Sequence, residues 1–462
     1  MAVSADTIFA LSSAPGRAGV SVFRVSGPRV RNIIEAVTRR PCPTPRRAVL
    51  GNIYPADQAA SEPIDSVLLI YMEGPKSFTG EDIAEFHTHG SLAVIEAVSE
   101  RLLESGARQA YAGEFTRRAF LNDRMDLTEA EGLADLIDSE TEGQRKQAMR
   151  QMQGGLREIY EDWRSELIDA LAMIEGEIDF PDEGDVPDAL ARRAGPYLIR
   201  AREKMEQAVK NAGRGERVRS GIHVVVLGPP NAGKSSIINR LAGRDAAIVS
   251  KQAGTTRDII DVQMTLAGLP VRLSDTAGLR KAQDDIEAEG VRRAQERARQ
   301  SDLCLLVYDG VEGLDTEGKD LEFTSVGLER AYDAVIANKA DLLEAHHKKP
   351  HLPDVSSVQN KPLFSLSAQT GEGFDGFTDW LEAEIRTRYS PEALPGLTRV
   401  RHVACVNRAI NAVSRGHENL SIAAELAGED VRAALHAIKE LAGETDMDAV
   451  FDRIFSRFCI GK

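Results

Sequence analysis

Gly228-Pro-Pro-Asn-Ala-Gly-Lys-Ser-Ser236 is the stretch that decides how this chain is read. It follows an apolar run, Ile222-His-Val-Val-Val-Leu227, that reads as a buried strand, and it leads into a helical pattern at Ile237-Ile-Asn-Arg-Leu241. Strand, G-x-x-x-x-G-K-[ST] and helix in that order make a phosphate-binding loop. The glycines let backbone N–H groups curl round phosphate oxygens, and the following helix turns its positive end toward them. Lys234 is spaced to reach the β- and γ-phosphates, and Ser235 to set its hydroxyl on Mg²⁺. Asn231, Ala232, Gly233 and Ser236 supply the rest of the cradle. A plain glycine turn between strand and helix would have no use for the Lys-Ser pair. The stretch reads as a nucleoside triphosphate site.

Further nucleotide motifs follow in order. Asp275-Thr276-Ala277-Gly278 comes after the strand-like Val271-Arg-Leu-Ser274; Asp275 suits Mg²⁺ through water, and the Gly278 amide suits the γ-phosphate. Asn338-Lys339-Ala-Asp341 closes the run Ala334-Val-Ile-Ala337. The Asp341 carboxylate can accept two N–H donors from the edge of guanine; adenine offers no such pair, so a site built for them would leave that carboxylate unpaired. Ser367-Ala368, after Leu363-Phe-Ser-Leu366, supplies a backbone donor to the base oxygen. Order and spacing together specify GTP. One position departs from the Ras-like pattern, where a Gln after the Asp-x-x-Gly glycine orients the attacking water. Leu279 stands there and can form no hydrogen bond, so the water is held elsewhere. Candidates lie in Ser250-Lys-Gln252-Ala-Gly254-Thr255-Thr256-Arg-Asp258 and in Asp284-Asp-Ile-Glu287. Thr256 is the natural switch ligand for Mg²⁺.

A chain of 462 residues exceeds one GTPase unit of ~160–180 residues, and about three domains are expected. The formal charge of −15 argues against nonspecific electrostatic wrapping of RNA. Cys42, Cys304, Cys405 and Cys459 are scattered without a C-x-x-C pair, which suits a reducing cytosol and excludes a standard zinc knuckle. No apolar run approaches the ~20 residues of a membrane span, and no basic-then-apolar leader is present. A cytoplasmic protein is the expectation. Residues 1–119 alternate strand-like runs (Thr7–Leu11, Val20–Val25, Ser66–Tyr71) with Gly/Pro loops, an α+β pattern. Residues 120–217 read as helical, 218–385 as the GTPase and 386–462 as helical again. Met149, Met152, Leu156, Ile159, Trp163, Leu167 and Leu171 repeat at three and four, which predicts one long helix with a bundle-core stripe. Asn211–Gly221 reads as a polar, glycine-rich linker. His87 and His89 alternate on a strand, but no third ligand of fitting spacing makes them a metal site.

Beyond the nucleotide motifs, the chain resembles the MnmE/TrmE-type tRNA modification GTPases along its whole length. Phe458-Cys-Ile-Gly-Lys462 is similar to the family's terminal signature, and Asp179-Phe-Pro-Asp-Glu183 to its helical domain. Pro15-Gly-Arg-Ala-Gly-Val20 with Arg24, Phe78-Thr-Gly-Glu-Asp82 and Gly113-Glu-Phe-Thr-Arg-Arg-Ala-Phe-Leu-Asn122 look like its folate-binding domain. The resemblance implies a multidomain α/β plus α fold. An N-terminal α+β folate-binding and dimerisation domain would be joined to a discontinuous helical domain, into which a P-loop GTPase with a mainly parallel sheet is inserted.

The same resemblance implies GTP hydrolysis coupled to modification of C5 of the tRNA wobble uridine. A homodimer would work in a heterotetramer with an MnmG/GidA-type flavoprotein carrying FAD and NADH, on tRNA, with neither membrane nor DNA as partner. The one-carbon donor would be 5,10-methylene- or 5-formyl-tetrahydrofolate, held by Arg24, Glu85, Arg124 and Lys462. Arg124 stands where the family pattern suggests Lys; the charge is kept and the geometry changed. Potassium would be held by Asn231 and the loop carrying Ser250, Gln252 and Thr255, and Glu287 would orient the water. Cys459 would be a nucleophile toward uridine, a proton donor, or a packed cysteine beside Phe458. An Era-type ribosome-assembly GTPase shares the P-loop set but needs an RNA-binding module after it, where this chain reads as helical. A purely regulatory switch leaves the folate-like motifs without a purpose.

Overall fold

The computed structural model describes residues 6–57, 59, 61–179, 190–244, 261–275, 296–297, 299–313, 332–345, 361–389, 396–444, 454–455 and 461. The chain divides into two compact units, Met1–Ala134 with Gln151–Glu203 and Ala404–Lys462, and Asp135–Arg150 with Lys204–Val403. Among the described residues no helix is long and apolar enough to cross a membrane. The architecture is multidomain α/β plus α.

The first unit is built on strands β1 (Ile8–Leu11), β2 (Ala18–Ser26), β3 (Ala48–Ile53), β4 (Asp65–Met72), β5 (Ile83–Gly90) and β6 (Arg108–Gln109). They form a six-stranded sheet in the order β3-β4-β5-β2-β1-β6, antiparallel except where β6 joins β1. Alternation along the strands decides which face is covered. Phe23, Val25, Val67, Leu69, Ala84 and Phe86 pack on Ile33, Ile34 and Val37 of α1 (Val30–Thr38) and on Val98 and Leu102 of α2 (Leu92–Glu104). Intervening positions such as Arg24 and Glu85, which are register partners, project from the opposite face.

Helices α3 (Glu114–Leu121), α4 (Leu127–Ile137), α5 (Glu142–Met152) and α6 (Gly155–Asp179) follow. The apolar stripe from Met149 to Leu171 therefore lies on two helices, not on the single one predicted. Gly154 adopts φ +89° and closes α5 with a left-handed residue. A side chain there would meet Glu129 Oε1 at 3.1 Å, so the break is also a close approach. Leu156, Tyr160, Trp163, Leu167, Ala170 and Ile174 are the buried ridge of α6.

Helix α7 (Gly195–Ser220) runs straight through the segment read as a linker. Composition misleads here because tertiary bonds hold the helix together. Gln147 Nε2 donates to the Gly215 carbonyl at 3.0 Å, Arg217 Nε to Asp302 at 2.6 Å and Arg219 Nε to the Thr398 carbonyl at 3.1 Å. Only Gly221, at φ +98°, ends it.

The second unit holds β7 (Ile222–Leu227), α8 (Lys234–Arg244), β8 (Asp261–Leu266), β9 (Leu269–Asp275), β10 (Leu303–Asp309), β11 (Ala334–Asn338), α9 (Ala340–Ala345), β12 (Leu363–Ser365) and α10 (Phe374–Tyr389). The sheet order is β12-β11-β10-β7-β9-β8, parallel throughout except for the β8–β9 hairpin. Strands β10 and β11 are buried from end to end, which is why both read as unbroken apolar runs. After β7 the chain builds first on the β9 side and then on the β10 side. The carboxyl end of β7 is thus the switch point where open α/β sheets bind ligands. Helices α11 (Val400–Asn419) and α12 (Ala424–Ala442) follow; α12 approaches α6 closely enough that a side chain at Gly428 would touch Ile174 at 3.4 Å.

Within the first unit, the buried Asp126 carboxylate accepts from Tyr160 Oη at 2.6 Å through Oδ2, while Oδ1 serves Thr128 and the Glu129 amide. Tyr160→Phe should cost roughly 1–3 kcal/mol by leaving that oxygen short of a donor. Urea unfolding followed by Trp163 fluorescence, in a Trp380→Phe background, measures it; an unchanged midpoint would show that the bond adds nothing.

Candidate functional site

Strand β7 delivers the chain into the loop through Gly228, at φ +144°. A Cβ there would lie 1.8 Å from the Val307 carbonyl of β10, so the position admits only glycine. Asn231 is left-handed at φ +62°, and Gly233 at φ +89°. A Cβ on Gly233 would fall 2.1 Å from Asn338 Nδ2, which makes this second glycine a requirement of packing as well as of backbone shape. Lys234 opens α8, buried, and its Nζ donates to the carbonyls of Gly228 at 2.8 Å and Pro229 at 2.7 Å. The ammonium is thus folded back onto the loop's own carbonyls.

Asn338 ends β11 and ties two loops together. Its Nδ2 donates to the Ala232 carbonyl at 2.8 Å, and its Oδ1 accepts from the Ala368 amide at 3.0 Å. Lys339, left-handed at φ +66°, pairs through Nζ with Asp309 Oδ2 at 2.5 Å. Burial works to raise the pKa of Asp309, but the Lys339 bond and the Val311 amide outweigh it and hold the carboxyl below its usual range. Asp341 sits in the first turn of α9, half-buried. Ser367 is buried, its amide given to the Glu372 carbonyl at 2.9 Å.

These groups line one open cavity of about 610 Å³. Asn231, Gly233, Lys234, Ser235 and Ser236 form one end; Asn338, Lys339, Asp341, Ser367 and Ala368 form the other. The volume falls within the ~300–1,000 Å³ of small-molecule pockets. Phosphate-type donors at one end and base-edge groups at the other match a nucleotide. Asp275 ends β9 opposite Val226, which sets its backbone beside the loop. Ser250, Gln252, Gly254, Thr255, Thr256, Thr276, Ala277, Gly278, Leu279, Glu287, Cys459 and Lys462 lie outside the described residues. Sequence reading missed Asp309. The signal was there: an acid ending an otherwise apolar strand at the carboxyl edge of a parallel sheet.

In the first unit, Arg24 reaches Glu85 Oε1 through Nη2 at 2.8 Å and Nε at 3.1 Å. The guanidinium carbon lies 5.4 Å from the centre of the Phe78 ring and 5.9 Å from that of Phe115. Glu85 Oε2 faces His87 Nε2 at 3.6 Å, while His89 Nδ1 bonds Asp65 at 2.7 Å. Arg124 is exposed, its stem against Gly80. Near the other end of the chain, Gly461 accepts from Ser12 Oγ at 3.0 Å, and its left-handed backbone (φ +100°) lies where a side chain would strike the Leu11 carbonyl. Leu11 ends β1, the strand paired with the one that carries Arg24.

Residues 127–459 match the family model described as the MnmE helical domain, and residues 7–124 the model described as the GTP-binding protein TrmE N-terminus. The tRNA modification GTPase MnmE of Maricaulis maris (strain MCS10) is 48% identical over 456 residues, covering 99% of this chain and 99% of that one. Its counterpart in Paramagnetospirillum magneticum (strain ATCC 700264 / AMB-1) is 45% identical over 459 residues, covering 99% and 100%. Among solved structures, Era in complex with MgGDPNP and nucleotides 1506-1542 of 16S ribosomal RNA is 23% identical, covering 41% of this chain and 66% of that chain at a TM-score of 0.26. A likeness that slight carries no weight.

The packing makes a sharp demand on Gly233. Gly233→Ala should weaken GDP binding at least about tenfold, since its Cβ displaces Asn338 or distorts the loop. Calorimetric titration against wild type tests this, and an unaltered affinity would mean that the loop does not hold the ligand as described.

Proposed function

This chain belongs to the MnmE family of tRNA modification GTPases, and we propose that it hydrolyses GTP in its second unit to drive a tRNA modification carried out at its first. The observation that carries the reading is the single cavity joining the phosphate loop, through Asn338, to the groups for a guanine edge. Asp341 would accept the two N–H donors of guanine, and the Ala368 amide, given to Asn338 Oδ1 without a ligand, would turn to its 6-oxygen. Lys234 would turn from the Gly228 and Pro229 carbonyls to the β- and γ-phosphates, holding developing charge in a site already ordered for it. Ser235, which lines the cavity beside Lys234, would hold Mg²⁺, with Thr256 proposed as second ligand. When bound it neutralises phosphate charge.

With Leu279 at the usual glutamine position, Glu287 is proposed to orient the water. K⁺ is proposed beside Asn231, which lines the cavity with Gly233 and Lys234, together with Ser250, Gln252 and Thr255. A cation there would offset charge at the β/γ bridge as an arginine finger does. Hydrolysis should then fall roughly 10²–10⁴-fold in Glu287→Ala with GTP binding kept, and should be faster in K⁺ than in Na⁺. Equal rates in the two salts, or a fully active variant, would place the water elsewhere.

In the first unit, Arg24, Glu85, Arg124 and Lys462 are proposed to hold a tetrahydrofolate, as its 5,10-methylene or 5-formyl form. Glu85 keeps Oε2 for a pterin N–H while Arg24 occupies Oε1, and cations suit the glutamate tail. The pair keeps side-chain exposures of 23% and 18%, so part of each group stays open to a ligand. Gly461 on the end of β1 supports a terminal tail at that site. Cys459 is proposed to act there on C5 of the wobble uridine. A homodimer, an MnmG/GidA-type flavoprotein partner with FAD and NADH, and a cytoplasmic setting complete the proposal. Deleting residues 459–462 should abolish wobble-uridine modification and weaken folate binding while GTP hydrolysis continues. Normal modification by the truncated chain would reduce the tail to a packing element.

A further inference from the structure

Arg240 lies on α8, six residues after Lys234, and belongs to none of the nucleotide motifs. Its Nε donates to the Ala368 carbonyl at 2.6 Å and its Nη2 to the Gln369 carbonyl at 2.5 Å. The guanidinium rests over the Phe374 ring, 5.6 Å from its centre. Gly371, at φ +93°, leaves it room, because a Cβ there would stand 2.5 Å from Nη1. The loop is otherwise folded on itself: the Gly371 amide donates to the Ser367 carbonyl at 2.9 Å and the Thr370 amide to Ser367 Oγ at 3.1 Å.

The two sides of Ala368 are therefore pinned by different elements. Asn338 at the end of β11 takes its amide, and Arg240 on the phosphate-loop helix takes its carbonyl. A loop that reads a base through one backbone N–H has no side chain with which to correct its aim. The direction of that N–H is set by whatever fixes the neighbouring peptides. A bidentate, planar guanidinium seated on an aromatic ring is suited to this, since its fork holds two carbonyls in a fixed relation.

We propose that Arg240 is a specificity-positioning residue: it holds the peptides next to the Ala368 amide so that this N–H, given to Asn338 Oδ1 without a ligand, is shared with or passed to the purine 6-oxygen when the base binds, and it ties the grip on the base to the helix that grips the phosphates. The proposal rests on the reading of Ser367–Ala368 as the base-contacting loop. It distinguishes Arg240 from a residue that merely steadies the fold, because only the 6-oxygen should report its loss.

The test compares GDP with the diphosphate of 2-aminopurine riboside, which keeps the 2-amino group for Asp341 and lacks the 6-oxygen together with the N1–H. It binds more weakly from the start, and only the further change caused by the Arg240 substitution is read. Arg240→Met keeps the stem on Phe374 and removes the donors, so folding is spared; Arg240→Lys restores one donor. Arg240→Met should weaken GDP binding about tenfold and move the 2-aminopurine nucleotide by less than about twofold, with Arg240→Lys intermediate. Equal losses for both nucleotides would make Arg240 a general strut and overturn the proposal, as would unchanged GDP binding. If the wild-type chain itself bound the two nucleotides equally, the loop would not read the 6-oxygen, and the reading beneath the proposal would fail instead.

Discussion

One carboxamide, that of Asn338, sets the geometry on which the nucleotide cavity depends. Its nitrogen holds the phosphate loop at Ala232 and its oxygen holds the base loop at Ala368, so two segments distant in sequence share one rigid support. The register of the parallel sheet places it. Asn338 stands opposite Asp309 on β10, and its own carbonyl accepts from the Gly310 amide at 2.8 Å. Buried bonds of this kind are each worth only about 1 kcal/mol net, but a partner left unpaired costs more, which makes the junction cooperative. Gly233 is small because Asn338 needs the space, and Lys339 can turn into a left-handed conformation because Asp309 waits for its ammonium.

What was legible in the sequence was local. A strand, a glycine loop and a helix within about twenty residues announce themselves, and the structure places β7 and α8 around Gly228–Ser236 as the motif requires. Less legible were features made by distant partners. Asp309 acquires its meaning from Lys339, and Arg240 from a loop 128 residues later, neither of which leaves a mark in spacing. The two misread helical segments share a cause. A three-and-four repeat survives a two-residue break at Gly154, and a glycine-rich stretch stays helical when Gln147, Asp302 and the Thr398 carbonyl bind it. Periodicity reports which face is buried; it does not report where the backbone bends or what holds it.

The two candidate sites solve different problems with different means. The nucleotide cavity joins the phosphate loop and its buried lysine to Asn338, Lys339 and Asp341, a preorganised environment for a highly charged ligand in a chain of net charge −15. The Arg24–Glu85 site is a side-chain pair on a partly covered sheet face, flanked by Phe78 and Phe115. Glu85 has committed one oxygen and Arg24 is fixed over apolar rings, an arrangement suited to a planar heterocycle. Gly461, nearly the last residue, rests on the adjoining strand. Residues from near both ends of the sequence thus meet at the end of β1.

The central claim is that GTP hydrolysis at the Asn338-braced cavity drives a tRNA modification. Mass spectrometry of wobble nucleosides, in tRNA from cells lacking the chain and complemented with wild type or with Lys234→Ala at equal abundance, tests it most directly. The expected result is that wild type restores the modified wobble uridine and Lys234→Ala does not. Restoration by Lys234→Ala would contradict the claim, because the modification would then proceed without the group that grips the phosphates.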